Sequence, residues 1–276
     1  MPDFTFNASA LGAGGVIERG NVTYTIPSLG SVALAPTGGE GRTVVSNYFS
    51  EELSFSHAET RVFGRETSKD TFTTSSYVLI KNLRVLNKLA VGEMRAVVTS
   101  ERGMTGGDDH AFEVEASYDD VRVGNRKVIP HIDVVLSQLR TYEQLGELLG
   151  GRNAARDPQG LAKRFNASSP DELARVIGQK KPVQGSLVET VEGYEPKPCA
   201  PTIFVPGLGT VRFAELMLKP GRRRLNLIRI MFGPRKNEHD RDQPFMMAEE
   251  GPQSGGPTGG SMTLGSGEGN GTPIEP

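Results

Sequence analysis

Residues 77–100, YVLIKNLRVLNKLAVGEMRAVVTS, form the densest apolar run of the chain and constrain its fold more than any other stretch. Valine, leucine and isoleucine crowd both parities of the run. A strand with one wetted face shows them at every second position only, so the pattern predicts strands covered on two sides. Asn87-Lys88 interrupts the run and divides it into strands over 77–86 and 89–99, joined by a hairpin or corner. The run holds one acid, Glu93, with no histidine and no cysteine. It reads as scaffold.

The 276 residues suffice for one large or two modest domains around a real core. A formal net charge of −2 gives no basic field for a phosphate backbone or an anionic membrane, so neither is expected as a partner. One cysteine, Cys199, excludes an intramolecular disulfide framework and any multi-cysteine metal site. The chain has no tryptophan, and aromatics are 7%, which disfavours a sugar-stacking platform. The first twenty residues carry Asp3 and no basic segment before an apolar core, and no stretch reaches bilayer length. The expectation is a cytoplasmic protein without a membrane span.

Short strands punctuated by glycine and proline are predicted over residues 4–63, at 22–26, 31–35, 43–48 and 53–63. Period two places Leu53, Phe55, His57, Glu59 and Arg61 on one face. Strands follow at 71–74, 111–118, 121–123 and 127–135. In the 111–118 strand Phe112, Val114, Ala116 and Tyr118 face the core, while Glu113, Glu115, Ser117 and Asp119 face water. From 136 the period changes. Leu136, Leu139, Tyr142, Leu145, Leu148 and Leu149 predict a helix, and Ser169-Pro170-Asp171-Glu172 predicts another that opens with a capping box. Residues 136–178 thus form a helical excursion, and 179–201 read as irregular. Strands return at 202–205, 210–218 and 224–232, the last two joined by the turn Lys219-Pro220-Gly221-Arg222. Residues 1–233 are expected as one β domain. The Gly/Pro-rich stretch 234–276 is expected as a disordered tail, removable beyond about Pro234 without changing the melting temperature.

Two segments echo each other: NLRVLNK at 82–88 with DVRVGNR at 120–126, and IPSLGSV at 26–32 with VPGLGTV at 205–211. Either a duplicated β unit or the shared grammar of strand–turn–strand accounts for them.

Candidate chemistry is sparse. There is no phosphate-binding glycine loop with its lysine, no paired-histidine zinc helix and no nucleophile elbow. His57 with Glu59, Asp108-Asp109-His110, and His131 with Asp133 would suit a divalent metal if they converged. Their plain alternative is a solvated loop and hydrogen-bonded strand residues. Arg222-Arg223-Arg224 would grip a phosphate or carboxylate, or form an ordinary charged turn. No catalytic residue, cofactor or metal ligand is assigned on this basis.

The segments FTFNASALGAGGVI, IPSLGSVALAPTGG, IKNLRVLNKLAVGEMRAVVTS and SYDDVRVGNRKV resemble a group of uncharacterised bacterial β-rich proteins, over roughly residues 4–135. The resemblance implies a β-rich fold and attaches no activity. The combined expectation is an antiparallel β-sandwich with a short helical insertion and a disordered C-terminal tail. Its expected role is non-catalytic, structural or interacting, with self-assembly into a homo-oligomer or a protein partner. The alternatives are a metal-assisted hydrolase or isomerase, and a carrier of a small hydrophobic ligand between the sheets.

Overall fold

The computed structural model describes residues 4–103, 111–150, 157–194, 201–234 and 256–273. Among the described residues fifteen strands build two antiparallel sheets packed face to face. The strands are β1 (Phe4–Arg19), β2 (Val22–Leu29), β3 (Val32–Ala33), β4 (Gly39–Phe49), β5 (Leu53–Ser68), β6 (Thr71–Val85), β7 (Leu89–Gly103), β8 (Ala111–Val123), β9 (Arg126–Ile132), β10 (Val183–Ser186), β11 (Val188–Glu192), β12 (Thr202–Val205), β13 (Gly209–Lys219), β14 (Arg222–Phe232) and β15 (Gly259–Pro273). Sheet A runs β10-β13-β14-β15-β1-β2, with β12 beside β13 and β3 beside β1. Sheet B runs β11-β9-β8-β7-β6-β5-β4. Strands β1 and β15 lie across β5, β6 and β7, and one continuous apolar core fills the space between the sheets.

The expected hairpin at Asn87-Lys88 is present. Leu86 and Asn87 both have positive φ, and the Lys88 amide donates to the Val85 carbonyl at 2.9 Å, closing a tight turn inside a three-residue connection from Val85 to Leu89.

The crowding of both parities in 77–100 has a different cause from double-sided burial. Tyr77, Leu79 and Val97 on the outer face are only half-buried. What changes is which parity points inward. In β6 the core positions are Ser76, Val78 and Ile80, then Leu83 and Val85; in β7 they are Leu89 and Val91, then Met94, Ala96 and Val98. The pleat inverts at Asn82 and at Gly92, which lie opposite each other where the β6–β7 ladder skips a pair. The inversion continues across sheet B as a row, Asn47, Ser56, Asn82, Gly92 and Asp120, and each ladder skips a pair there. Alternate members of the row are left-handed: Asn47 (φ 53), Asn82 (φ 53) and Asp120 (φ 47). Asparagine and aspartate tolerate that conformation better than other residues with a Cβ. Sheet A carries a matching row through Ala214 (φ 43), Leu227, Gly265 (φ 65), Gly12 and Gly30 (φ 62).

This inversion corrects the predicted face of β5. Leu53 and Phe55 are core, but beyond Ser56 the core positions are Ala58, Thr60 and Val62, and His57, Glu59 and Arg61 point outward. The prediction for 111–118 holds because that segment ends before Asp120. The echo of 82–88 in 120–126 has a local basis: both segments open on a left-handed Asn or Asp and end in a tight turn.

Each inversion frees backbone groups from the ladder, and they need other partners. Tyr118 of β8 reaches across the core to sheet A. Its hydroxyl donates to the Leu227 carbonyl at 2.5 Å and accepts from the Ala214 amide at 2.9 Å. Burial drives its phenol pKa upward, so it stays protonated and can make both bonds. Tyr118→Phe should therefore cost about 1–3 kcal/mol by orphaning a buried amide and carbonyl. Chemical denaturation measures it, and a loss below about 0.5 kcal/mol would contradict the assignment.

The helical excursion comprises α1 (Val134–Ser137), α2 (Tyr142–Gly150), α3 (Pro158–Arg164) and α4 (Pro170–Gly178). The single helix expected from the leucine stripe breaks because Thr141 and Gln144 form a capping box. Gln144 Oε1 accepts from the amides of Arg140 and Thr141, and Thr141 Oγ1 accepts from the amide of Gln144 at 3.3 Å. In α4 the predicted cap Ser169 accepts from the Glu172 amide at 3.2 Å. The Glu172 carboxylate reaches back to Ser168 rather than Ser169. Tyr142, Leu145, Leu161, Phe165 and Leu173 belong to the same core as the sheets, so the helices are a wall of the sandwich and not a detachable lid. The segment expected as irregular holds β10 and β11, which leave sheet A and enter sheet B at Leu187.

The largest correction concerns the tail. Residues 235–255 lie outside the described set, but Gly259–Pro273 is the strand β15, inserted between β14 and β1 in the middle of sheet A. Its inward positions are Met262 and Leu264, then, past the inversion at Gly265, Gly267 and Gly269. A Cβ at Gly267 would sit 2.7 Å from Ser76 Oγ, so with serine opposite it the sheets approach too closely there for a side chain without a shift. Composition reads such glycines as disorder; here they are the condition for close packing.

Candidate functional site

The predicted metal and acid–base residues do not converge. His57 and His131 stand on β5 and β9, four strands apart in sheet B, or about 19 Å at the usual strand spacing. His57 Nε2 lies 3.7 Å from Glu59, while Glu59 is held by Arg61 at 2.7 Å and Arg42 at 2.5 Å. The Arg61 hydrogen bond, with help from Arg42 and against the opposing effect of burial, brings the Glu59 carboxyl down to about 2. Both arginines are more than half exposed, so this is a screened surface cluster. His131 pairs with Glu192 at 2.9 Å. Asp133 instead caps α1 and binds Arg164 at 2.6 Å. Asp108, Asp109, His110, Cys199 and His239 lie outside the described residues, and among the described residues no group of three potential ligands could hold a metal.

A different constellation is assembled on the outer face of sheet A, at the inversion row. On an uninterrupted strand Arg212 and Glu215 would face opposite sides, as would Asn226 and Arg229. The inversions at Ala214 and Leu227 place all four outward. Glu215 is 3% exposed and lies at the base of the group. Its carboxylate accepts from Gln184 Nε2 at 2.6 Å, Asn226 Nδ2 at 2.8 Å and Arg229 Nη1 at 3.3 Å, and Arg212 Nη1 is 3.5 Å away. Burial alone would raise its pKa, but the Asn226 bond, the Arg229 charge and the Gln184 bond outweigh it. The carboxyl is held below its ordinary range. Glu215 is therefore ionised at neutral pH and saturated with donors.

Above it opens a hollow of about 200 Å³ lined by Gln184, Glu215, Met217, Arg224, Asn226, Arg229 and Thr263. A smaller one of about 30 Å³, sharing Glu215, is walled by Lys163, Arg164 and Arg212. The three consecutive arginines of the last hairpin separate by role. Arg222 pairs with Glu268, and Arg223 turns inward with its guanidinium 4.0 Å from the Phe112 ring centroid. Burial lowers the Arg223 pKa to about 10. Arg224 faces the hollow, its Nε donating to Ser266 Oγ at 3.3 Å. The triplet is thus neither an ordinary charged turn nor one shared grip. Sequence periodicity missed this cluster because its members share a face only through the inversion. Gly265 and the left-handed Asn residues were the available signals; Ala214 and Leu227 gave none.

The edges of the sandwich differ. At one side β2 and β4 are the outermost strands, with Val22, Tyr24, Val44 and Phe49 exposed, Phe49 to 85%. At the other side stand the short strands β10, β11 and β12, where Phe165 from the end of α3 packs on Gly185. Among the described residues no helix is long and apolar enough to cross a membrane.

Fold and surface together define a mainly β, two-sheet antiparallel protein with a polar hollow on one sheet and, among the described residues, β2 and β4 outermost at one lateral edge. The chain belongs to the family described as Domain of unknown function (DUF8256), whose model matches residues 4–219. Strands β14 and β15, which supply Arg224, Asn226, Arg229 and Thr263 to the hollow, lie beyond the matched residues. No curated protein and no solved structure matches the chain.

Proposed function

We propose that the protein is a non-catalytic interaction module that associates with a second copy of itself through strand β4. The asymmetry of the two lateral edges supports this reading. The β10–β12 side is walled by helices and short strands. On the β2 side Pro27 withholds an amide and blunts the edge. Strand β4 has no proline, runs from Gly39 to Phe49, and displays Val44 and Phe49 on its outer face. Asn47, left-handed, interrupts the edge, so the regular pairing segment is 39–46. Antiparallel pairing of two β4 edges about a twofold axis satisfies both, and because among the described residues the other edges are blunted or walled, the assembly closes at two copies.

Light scattering on the full chain should give twice the mass of one chain at micromolar concentration. Val44→Lys with Phe49→Asp should return it to one copy while leaving the melting temperature within a few degrees. A particle of one-chain mass at every concentration up to about 100 μM would overturn the proposal. The hydrophobic-carrier alternative gains no support, because Gly267 and Ser76 hold the sheets in contact where such a ligand would lie.

A further inference from the structure

We infer that the hollow over Glu215 binds a small oxyanion, a carboxylate or phosphate ester that also carries hydroxyl or amine groups. The argument begins with charge. One acid lines the hollow, and two arginines, Arg224 and Arg229, line it with it; Arg212 and Lys163 stand in the adjoining recess. The chain as a whole is slightly acidic, so this local excess of positive charge on one face of sheet A is not a general property of its surface.

Glu215 offsets one of the two arginine charges, that of Arg229, and leaves Arg224 as the excess. Its oxygens are occupied by Gln184, Asn226 and Arg229, and it is ionised, so it can neither accept a metal nor exchange a proton near neutral pH. Its effect is to fix the donors around it. With Arg229 anchored on one side, Arg224 contacts only Ser266 through Nε and makes no ion pair among the described residues. Arg224 lines the hollow, and a guanidinium can offer a carboxylate or phosphate two parallel N–H groups.

A second observation points the same way. Asn226 is 6% exposed, and because a carboxylate only accepts, its Nδ2 must face Glu215. That leaves Asn226 Oδ1 buried without a hydrogen-bond partner, and Arg212 Nε is also buried without one. The unpaired Asn226 Oδ1 beside the hollow calls for a donor on the guest, such as a hydroxyl or amine, and the unpaired Arg212 Nε in the adjoining recess offers a second partner to an acceptor oxygen. Size limits that guest. About 200 Å³ lies below the range of ordinary drug-sized pockets, so the group the hollow seats is of metabolite size. The inference is independent of pairing through β4, which involves the opposite edge of the sandwich.

The test is calorimetric titration of the full chain with inorganic phosphate, succinate and glycerol 3-phosphate, each at matched ionic strength against sodium chloride. At least one should bind saturably with a dissociation constant below about 1 mM, and glycerol 3-phosphate should bind more tightly than phosphate if the hydroxyl partners count. Arg224→Ala should weaken that binding at least tenfold. Arg224→Lys, which keeps the charge and the stem but loses the fork, should weaken it at least threefold, and it covers the case in which the alanine variant folds poorly. No saturable binding by any of the three anions, or binding unchanged in Arg224→Lys, overturns the inference.

Discussion

A chain truncated after Pro234 should fail to fold cooperatively, and a peptide of residues 256–273 added in trans should restore the transition. β15 is hydrogen-bonded to β1 along nearly its whole length, from Phe4↔Pro273 to Glu18↔Gly259, and to β14 from Arg223↔Gly269 to Met231↔Ser261. Its loss splits sheet A between β14 and β1 and uncovers one side of each. Every buried amide or carbonyl left without a partner costs about 1–3 kcal/mol, so even a handful exceeds the roughly 5–15 kcal/mol that holds a domain together. Met262 and Leu264, both buried, would leave the core as well. Circular dichroism during heating, with and without the peptide, reads the result. A truncated chain that melts like the full one would mean that β15 is not part of the folded domain.

The second large effect is expected at the closest approach of the sheets. Gly267→Ala should destabilise by about 1–3 kcal/mol, because its Cβ would lie 2.7 Å from Ser76 Oγ, and an overpacked core must shift to make room. Ser76 Oγ is itself buried with no hydrogen-bond partner, so Ser76→Ala alone should be neutral or stabilising. Together the two substitutions should recover most of the loss, since the next nearest atom to the new Cβ is Ser76 Cβ at an ordinary 3.5 Å. The double-mutant cycle should give a coupling above about 1 kcal/mol. Additive effects would place the cost of Gly267→Ala somewhere other than this contact.

Much of the local structure was legible. The hairpins at Asn87-Lys88 and at Pro220-Gly221 announce themselves by residue type, as does the Ser169 cap. The strand 111–118 is legible because an unbroken alternation has one interpretation. Misreadings cluster where a regular pattern is interrupted. The Thr141–Gln144 box lay in plain view of the sequence but was overrun by a leucine stripe that continued through it. In β5, period two was extended from Leu53 to Arg61 across Ser56, a residue with nothing to mark it as an inversion point.

The candidate site was the least legible part. Arg212 with Glu215, and Asn226 with Arg229, are each three apart, a spacing that puts strand residues on opposite faces. They meet only because Ala214 and Leu227 fall on the row set by Gly265 and Gly12 in the neighbouring strands. The resident signals of chemistry, His57, Glu59, His131 and Asp133, turned out to be dispersed over a solvated sheet face and a helix cap.

The sequence by itself determined the tight turns, the Ser169 cap and the strand of unbroken alternation, because these are contacts between near neighbours in the chain. The tertiary structure decided which parity of each strand faces the core, that a glycine-rich terminus is a central strand, and that a saturated glutamate and its arginines share one hollow. Those outcomes are properties of rows that run across the strands. A left-handed residue in one strand shifts the pleat of all its hydrogen-bonded neighbours, and a glycine is ordered or disordered according to what lies on the opposite sheet.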